Sequence, residues 1–126
     1  MLFRSQVQLA KGAIASGIAA LEEVTGIGDE EIVHFSLAGG FGNYLDIDSA
    51  QRIGLIPPLP RDRVQYVGNA AADGARRMLL SEAARERATS VARAVRHVPL
   101  ATFPGFQEIF AEAVTFPAAR HPMAHA

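Results

Sequence analysis

Apolar residues at Val7, Ala10, Ile14, Ile18 and Leu21 recur at intervals of three and four, the spacing that gathers side chains on one face of an α-helix. The pattern predicts a packed amphipathic helix from Gln6 to Val24, stopped by Gly26 and Gly28, because glycine accepts the backbone conformation that ends helices. A short apolar run, Ile32 to Leu37 (IVHFSL), then reads as a buried strand that runs out into Gly39 and Gly40. Asp48 is expected to cap a short helix reaching Ile53, with Gly54 as its terminator and Pro57 to Pro60 as a connector.

The same arrangement returns further on. Val64 to Val67 reads as a second strand, Gly68 as its turn, and Asn69 as the N-cap of a helix carrying Ala70, Ala71, Ala72, Ala75, Met78 and Leu79. Ser81 caps a further helix to about Val95, studded with Arg85, Arg87, Arg93 and Arg96 and expected to be half solvated. Val98 to Thr102 reads as a last, edge strand. Pro104 is suited to open a final helix, in which Phe106, Ile109, Phe110, Ala113 and Val114 fit the helical template and should face the core. Strands alternating with helices give an α/β fold with a short sheet flanked by helices.

Composition narrows the chemistry. With 126 residues, 49% of them apolar, the chain has room for one core. Twelve Lys and Arg against thirteen Asp and Glu leave a net charge of -1, so neither nucleic acid nor an anionic membrane is an expected partner. There are no cysteines; no thiolate in this chain can hold zinc or an iron-sulfur cluster. Nothing resembles a signal peptide or a membrane span, so a cytoplasmic location is expected. Met1 to Ser5 (MLFRS) fits no pattern, and Leu2-Phe3-Arg4-Ser5 is what the end of a common sequencing adaptor would encode. These five residues are expected to be a non-native leader, residues 6–117 the folded domain, and Ala118 to Ala126, with its two histidines, a frayed tail.

The segment Ser36 to Asp48 (SLAGGFGNYLDID) holds the most chemistry. Paired glycines at the carboxyl end of a strand remove Cβ atoms where a flat ring such as a purine could lie on bare backbone; equally, they could do no more than turn the chain. Gly40-Phe41-Gly42 also resembles the opening of a dinucleotide fingerprint, with Asp62 near the acidic position, but Leu45 stands where the third glycine belongs. A phosphate loop ending in Gly-Lys-Ser/Thr is absent. The second turn, Gly68 to Ala75, is so rich in small residues that its helix can pack closely, either in the core or against a ligand. His34 reads as a core or edge histidine rather than a base, and Asp46 and Asp48 as turn and cap residues rather than a carboxylate pair.

The order Val7-Gln8-Leu9-Ala10-Lys11-Gly12-Ala13-Ile14, then LAGGFGNYLD, IGLIP and VGNAAADGAR, resembles the C-terminal region of the reductive activators of corrinoid proteins, members of the superfamily of acetate and sugar kinases, heat-shock chaperones and actin. The resemblance covers about Gln6 to Phe116. It implies a ribonuclease-H-like subdomain forming one side of an ATP cleft, with Gly39, Gly40, Phe41, Gly42 and Asn43 as the adenosine motif. It further implies that Gln8 and Lys11 flank the purine and ribose, and that Gly68 and Asn69 complete the site. Lys11 read by itself is equally a solvated helix lysine.

The family's iron-sulfur domain and the magnesium and phosphate turns of the other subdomain have no counterpart in these residues. The resemblance therefore implies an adenosine half-site of an ATP-dependent, corrinoid-reducing activase, truncated and not expected to be active alone. Its implied partner is a corrinoid protein or corrinoid-dependent methyltransferase, and an incomplete sheet invites a homodimer. The alternative is a non-catalytic interaction or dimerisation module acting through the helices from Ser81 to Phe116.

Overall fold

The computed structural model describes residues 2–40 and 44–117. In chain order it has α1 (Leu2–Thr25), β1 (Phe35–Ala38), α2 (Ile47–Arg52), β2 (Val64–Gly68), α3 (Ala70–Leu80), α4 (Glu82–Ala94) and α5 (Phe106–Val114). Single 3-10 turns lie at Asp29–Glu31, Arg61–Arg63 and Leu100–Thr102. The last replaces the edge strand expected at Val98 to Thr102: Pro99 cannot donate to a strand ladder, and its carbonyl instead accepts from the Thr102 N–H.

β1 and β2 pair in parallel, Phe35 opposite Val64, Ser36 opposite Gln65 and Leu37 opposite Tyr66; then the register slips and Ala38 faces Gly68. β1 is shorter than the run from Ile32 suggested, and His34 lies before it, exposed rather than in a core. α2 folds over the sheet. Its Ile47 and Ala50 meet Val64 of β2 together with Ile56 and Leu59, so the proline-rich connector supplies core residues. Gln51 fixes that connector, its Nε2 donating to the carbonyls of Pro57 at 3.1 Å and Leu59 at 2.7 Å. The helix begins two residues earlier than expected because Asp46, not Asp48, is the cap: its carboxylate accepts from the Ser49 N–H at 2.8 Å.

A second packing layer joins α1 to α5. The buried stripe of α1 is Lys11, Gly12, Ser16 and Ala20; Ile14 and Leu21, expected inside, are 52% and 51% exposed. The reason is size. A Cβ placed on Gly12 would lie 2.8 Å from Val114 Cγ2 and 3.3 Å from its backbone, so glycine here sets how closely the helices approach. Ser16 satisfies its buried hydroxyl by donating to Gly12 O at 2.7 Å. On α5, Phe106, Ile109, Phe110, Ala113 and Val114 are the half-buried positions, as the spacing predicts, and the Phe106 and Phe110 rings stack with centroids 6.2 Å apart. Gly105, at φ 75°, is the residue before this helix. The helix α1 also runs through residues 2–5, where no pattern suggested one.

α3 and α4 pack on each other. Asn69 caps α3 through the Ala72 N–H at 3.1 Å and Ser81 caps α4 through the Ala84 N–H at 3.2 Å. Neither helix has a buried residue, so the small side chains of α3 do not make the core helix their packing potential suggested.

Candidate functional site

Both glycine turns sit at the carboxyl ends of the parallel strands. Gly39 has φ 99° and Gly68 φ 64°, left-handed values that strain any residue with a Cβ. The Gly39 N–H donates to Gly68 O at 2.7 Å, so one turn holds the other. Among the described residues, a Cβ built on Gly39, Gly40 or Gly68 would meet nothing within 4 Å. Asn69 follows directly with its side-chain oxygen committed to the α3 cap. The structure thus brings Gly39, Gly40, Gly68 and Asn69 to one sheet edge. Phe41, Gly42 and Asn43, expected beside them, lie outside the described residues, as does the tail from Ala118.

One contributor was not singled out from sequence. The Tyr66 hydroxyl donates to the Leu45 carbonyl, tying β2 to the chain that returns after the paired glycines. A tyrosine two positions before a strand-ending glycine is too common a pattern to have flagged it.

Gln8 and Lys11 lie elsewhere, at the joint between α1 and the end of α5. Gln8 Nε2 donates to Val114 O at 3.3 Å and Lys11 Nζ to Thr115 O at 2.5 Å. Lys11 is only 3% exposed, not solvated. Its Nζ lies 5.5 Å from the Phe116 ring centroid, with the Arg4 guanidinium 5.7 Å from the same ring. Burial lowers the Lys11 ammonium's pKa below its usual range. Among the described residues, no hydrogen bond joins Gln8 or Lys11 to the glycine turns; Lys11 instead stands beside Gly54, where an added Cβ would approach its Nζ to 3.4 Å.

A cleft of about 730 Å³ opens between α1 and the segment following α2, lined by Ala15, Ile18, Glu22, Gln51, Arg52 and Pro57 among others. Glu22 Oε1 is buried there with no hydrogen-bond partner among the described residues. Desolvation first, and then the neighbouring Asp29 carboxyl, raise the Glu22 carboxyl above its usual range. By contrast Asp46 is lowered, chiefly by its hydrogen bonds from Ser49. No group of three or more acidic or histidine side chains among the described residues could hold a metal ion, and none of the described helices is long and apolar enough to cross a membrane.

A family model described as the C-terminal domain of RACo, the ASKHA domain, matches residues 5–125. The chain belongs to that family. Among curated proteins, this ASKHA-domain chain is 40% identical over 104 residues to the corrinoid activation enzyme RamQ of Eubacterium limosum, a match covering 82% of this chain and 18% of that protein. Among solved structures it resembles a reductive activator for corrinoid,iron-sulfur protein, with a TM-score of 0.82 and 34% identity over 90% of this chain and 18% of the other. The ASKHA-domain chain therefore spans under one fifth of the length of either relative. Membership bears out the expected resemblance and the α/β fold, whose sheet has two strands among the described residues.

Proposed function

We propose that this chain forms the adenosine side of a nucleotide cleft in an ATP-dependent reductive activator of corrinoid proteins. The observation that carries the reading is the pair of left-handed glycines at the ends of adjacent parallel strands, joined by the Gly39 to Gly68 hydrogen bond. Ligands of open parallel sheets bind at the strands' carboxyl ends. Three glycines with open space where their Cβ atoms would be leave a surface a flat purine can approach to van der Waals distance. In this reading Gly39 and Gly40 face the base and Gly68 and Asn69 border it. Gln8 and Lys11 act by holding α1 on the end of α5, through Val114 O and Thr115 O, rather than by touching the nucleotide.

The complete protein would couple ATP binding or hydrolysis to transfer of one electron onto a cobalt(II) corrinoid, returning it to cobalt(I) for methyl transfer. Magnesium would accompany the phosphates. Any iron-sulfur cluster that delivers the electron must be held outside this chain, which has no cysteine. Its corrinoid partner, or a corrinoid-dependent methyltransferase, is proposed on the same footing.

Titration of the chain with adenosine, ADP and ATP, read as amide chemical-shift changes, tests this. Saturable shifts at Gly39, Gly40, Gly68 and Asn69, similar for adenosine and ATP, are expected. Gly40→Val should remove them without unfolding the chain, since no described residue lies within 4 Å of the new Cβ. A folded sample with no shifts at these amides refutes the reading.

A further inference from the structure

The α3 and α4 pair carries an apolar groove that no other described residue covers. Of its lining, Met78 is 40% and Val91 57% exposed, in a protein whose core elsewhere closes around Ile47, Ile56 and Val64; Leu79 and Leu80 are exposed as well but lie outside the groove. The groove, of about 720 Å³, runs between the two helices and is floored by Gly74, Met78, Ala84, Ala88 and Val91. Glycine and alanine along the floor leave depth that an incoming side chain can fill. On α4 the lining extends from Ala83 to Ala92, which at 1.5 Å per residue is about 14 Å, or two and a half helical turns.

Charge around this groove is one-sided. The charged residues that line it are Arg77 and Arg87. The same helices carry the acids Asp73, Glu82 and Glu86, and none of these lines the groove. We propose that the groove receives an amphipathic helix of a partner protein whose apolar stripe is flanked by carboxylates. The apolar floor accepts residues spaced i, i+3 or i+4 and i+7, the mode by which a helix lies in a groove. Each guanidinium offers a planar pair of donors matched to a carboxylate. A nucleic acid or anionic bilayer fits less well: two arginines do not track a phosphate backbone, and the chain's net charge of -1 gives no long-range attraction for a polyanion.

The test uses the full chain and a fluorescent peptide of about 15 residues, a length at which isolated helices begin to hold, with leucines at helical spacing flanked by glutamates. Its twin carries lysines in their place. Anisotropy should show saturable binding of the glutamate peptide, weakened about tenfold or more by Arg87→Glu or by Val91→Glu, both at exposed positions that circular dichroism should find folded. Several results would overturn the proposal: no binding, equal binding of the lysine twin, or indifference to Arg87→Glu. Stronger binding to anionic phosphatidylglycerol vesicles than to the peptide would do so too, as would sedimentation showing a dimer of this chain that Val91→Glu dissolves.

Discussion

The closeness of α1 and α5 makes opposite predictions for two glycines on the same helix. Replacing an interior helix glycine by alanine favours the folded state by about 1 kcal/mol through lost unfolded-state freedom. At Gly17 nothing opposes this: the new Cβ would sit 3.6 Å from Leu100 Cδ1, an ordinary contact. At Gly12 the same carbon would lie 2.8 Å from Val114 Cγ2 and 3.3 Å from Val114 N and Cα. Valine is branched at Cβ and cannot swing aside, so the helices must part, at a cost of about 1–3 kcal/mol for overpacking. Gly17→Ala should therefore stabilise by up to about 1 kcal/mol and Gly12→Ala destabilise by about 1 kcal/mol. In urea unfolding, with a slope of about 2 kcal/mol/M, the two midpoints should separate by about 1 M. Adding Val114→Ala should relieve the second substitution, a coupling that a double-mutant cycle reads directly. If Gly12→Ala stabilises as much as Gly17→Ala, the close helix contact is wrong.

Two further predictions concern pH. Glu22 has a raised folded-state pKa, so the stability it confers is present while it is protonated, below the ordinary 4.5, and is lost as pH climbs through the raised value; Glu22→Gln should be the more stable protein at neutral pH. Urea midpoints measured from pH 4.5 upward that fall in parallel for both proteins would rule this out. Asp46 has a lowered folded-state pKa, so its contribution is present above the ordinary 3.8 and is lost as pH falls through the lowered value. Asp46→Ala should lower stability at pH 7 and flatten this part of the acid limb, and an acid limb unchanged by the substitution would remove the cap from the account.

The two strand-turn-helix units were legible because each carries its own local signals, an apolar run, a glycine and a capping side chain, and these need no tertiary context. The inward face of α5 was legible, since its five apolar positions keep helical spacing and are the half-buried ones, packed chiefly against α1. α1 was read with its inward face rotated: Val7 and Ile18 are half-buried as expected, but Ala10, Ile14 and Leu21 are exposed. Periodicity counts large side chains, whereas the buried stripe is built from Lys11, Gly12, Ser16 and Ala20, chosen for closeness to α5, and Ile14 and Leu21 stay partly in solvent. Lys11 was read either as an adenosine contact or as a solvated helix lysine; its burial against Phe116 and Thr115 depends on residues about 100 positions away, which no local window contains. The cleft beside Glu22 was invisible for the same reason, being walled by α1 on one side and the prolines after α2 on the other.

The pairing of α1 with α5 also bears on how the polypeptide acquires its shape during synthesis. Gln8 and Lys11 find their partners 106 and 104 residues later, whereas the contacts between β1, α2 and β2 span a few tens of residues. At translation rates of about 5–20 residues per second, the first helix waits roughly 5–20 s for its counterpart to leave the ribosome. Throughout that interval the ammonium of Lys11 and the glycine notch beside it are wet, and α1 docks only after every other described element has been made.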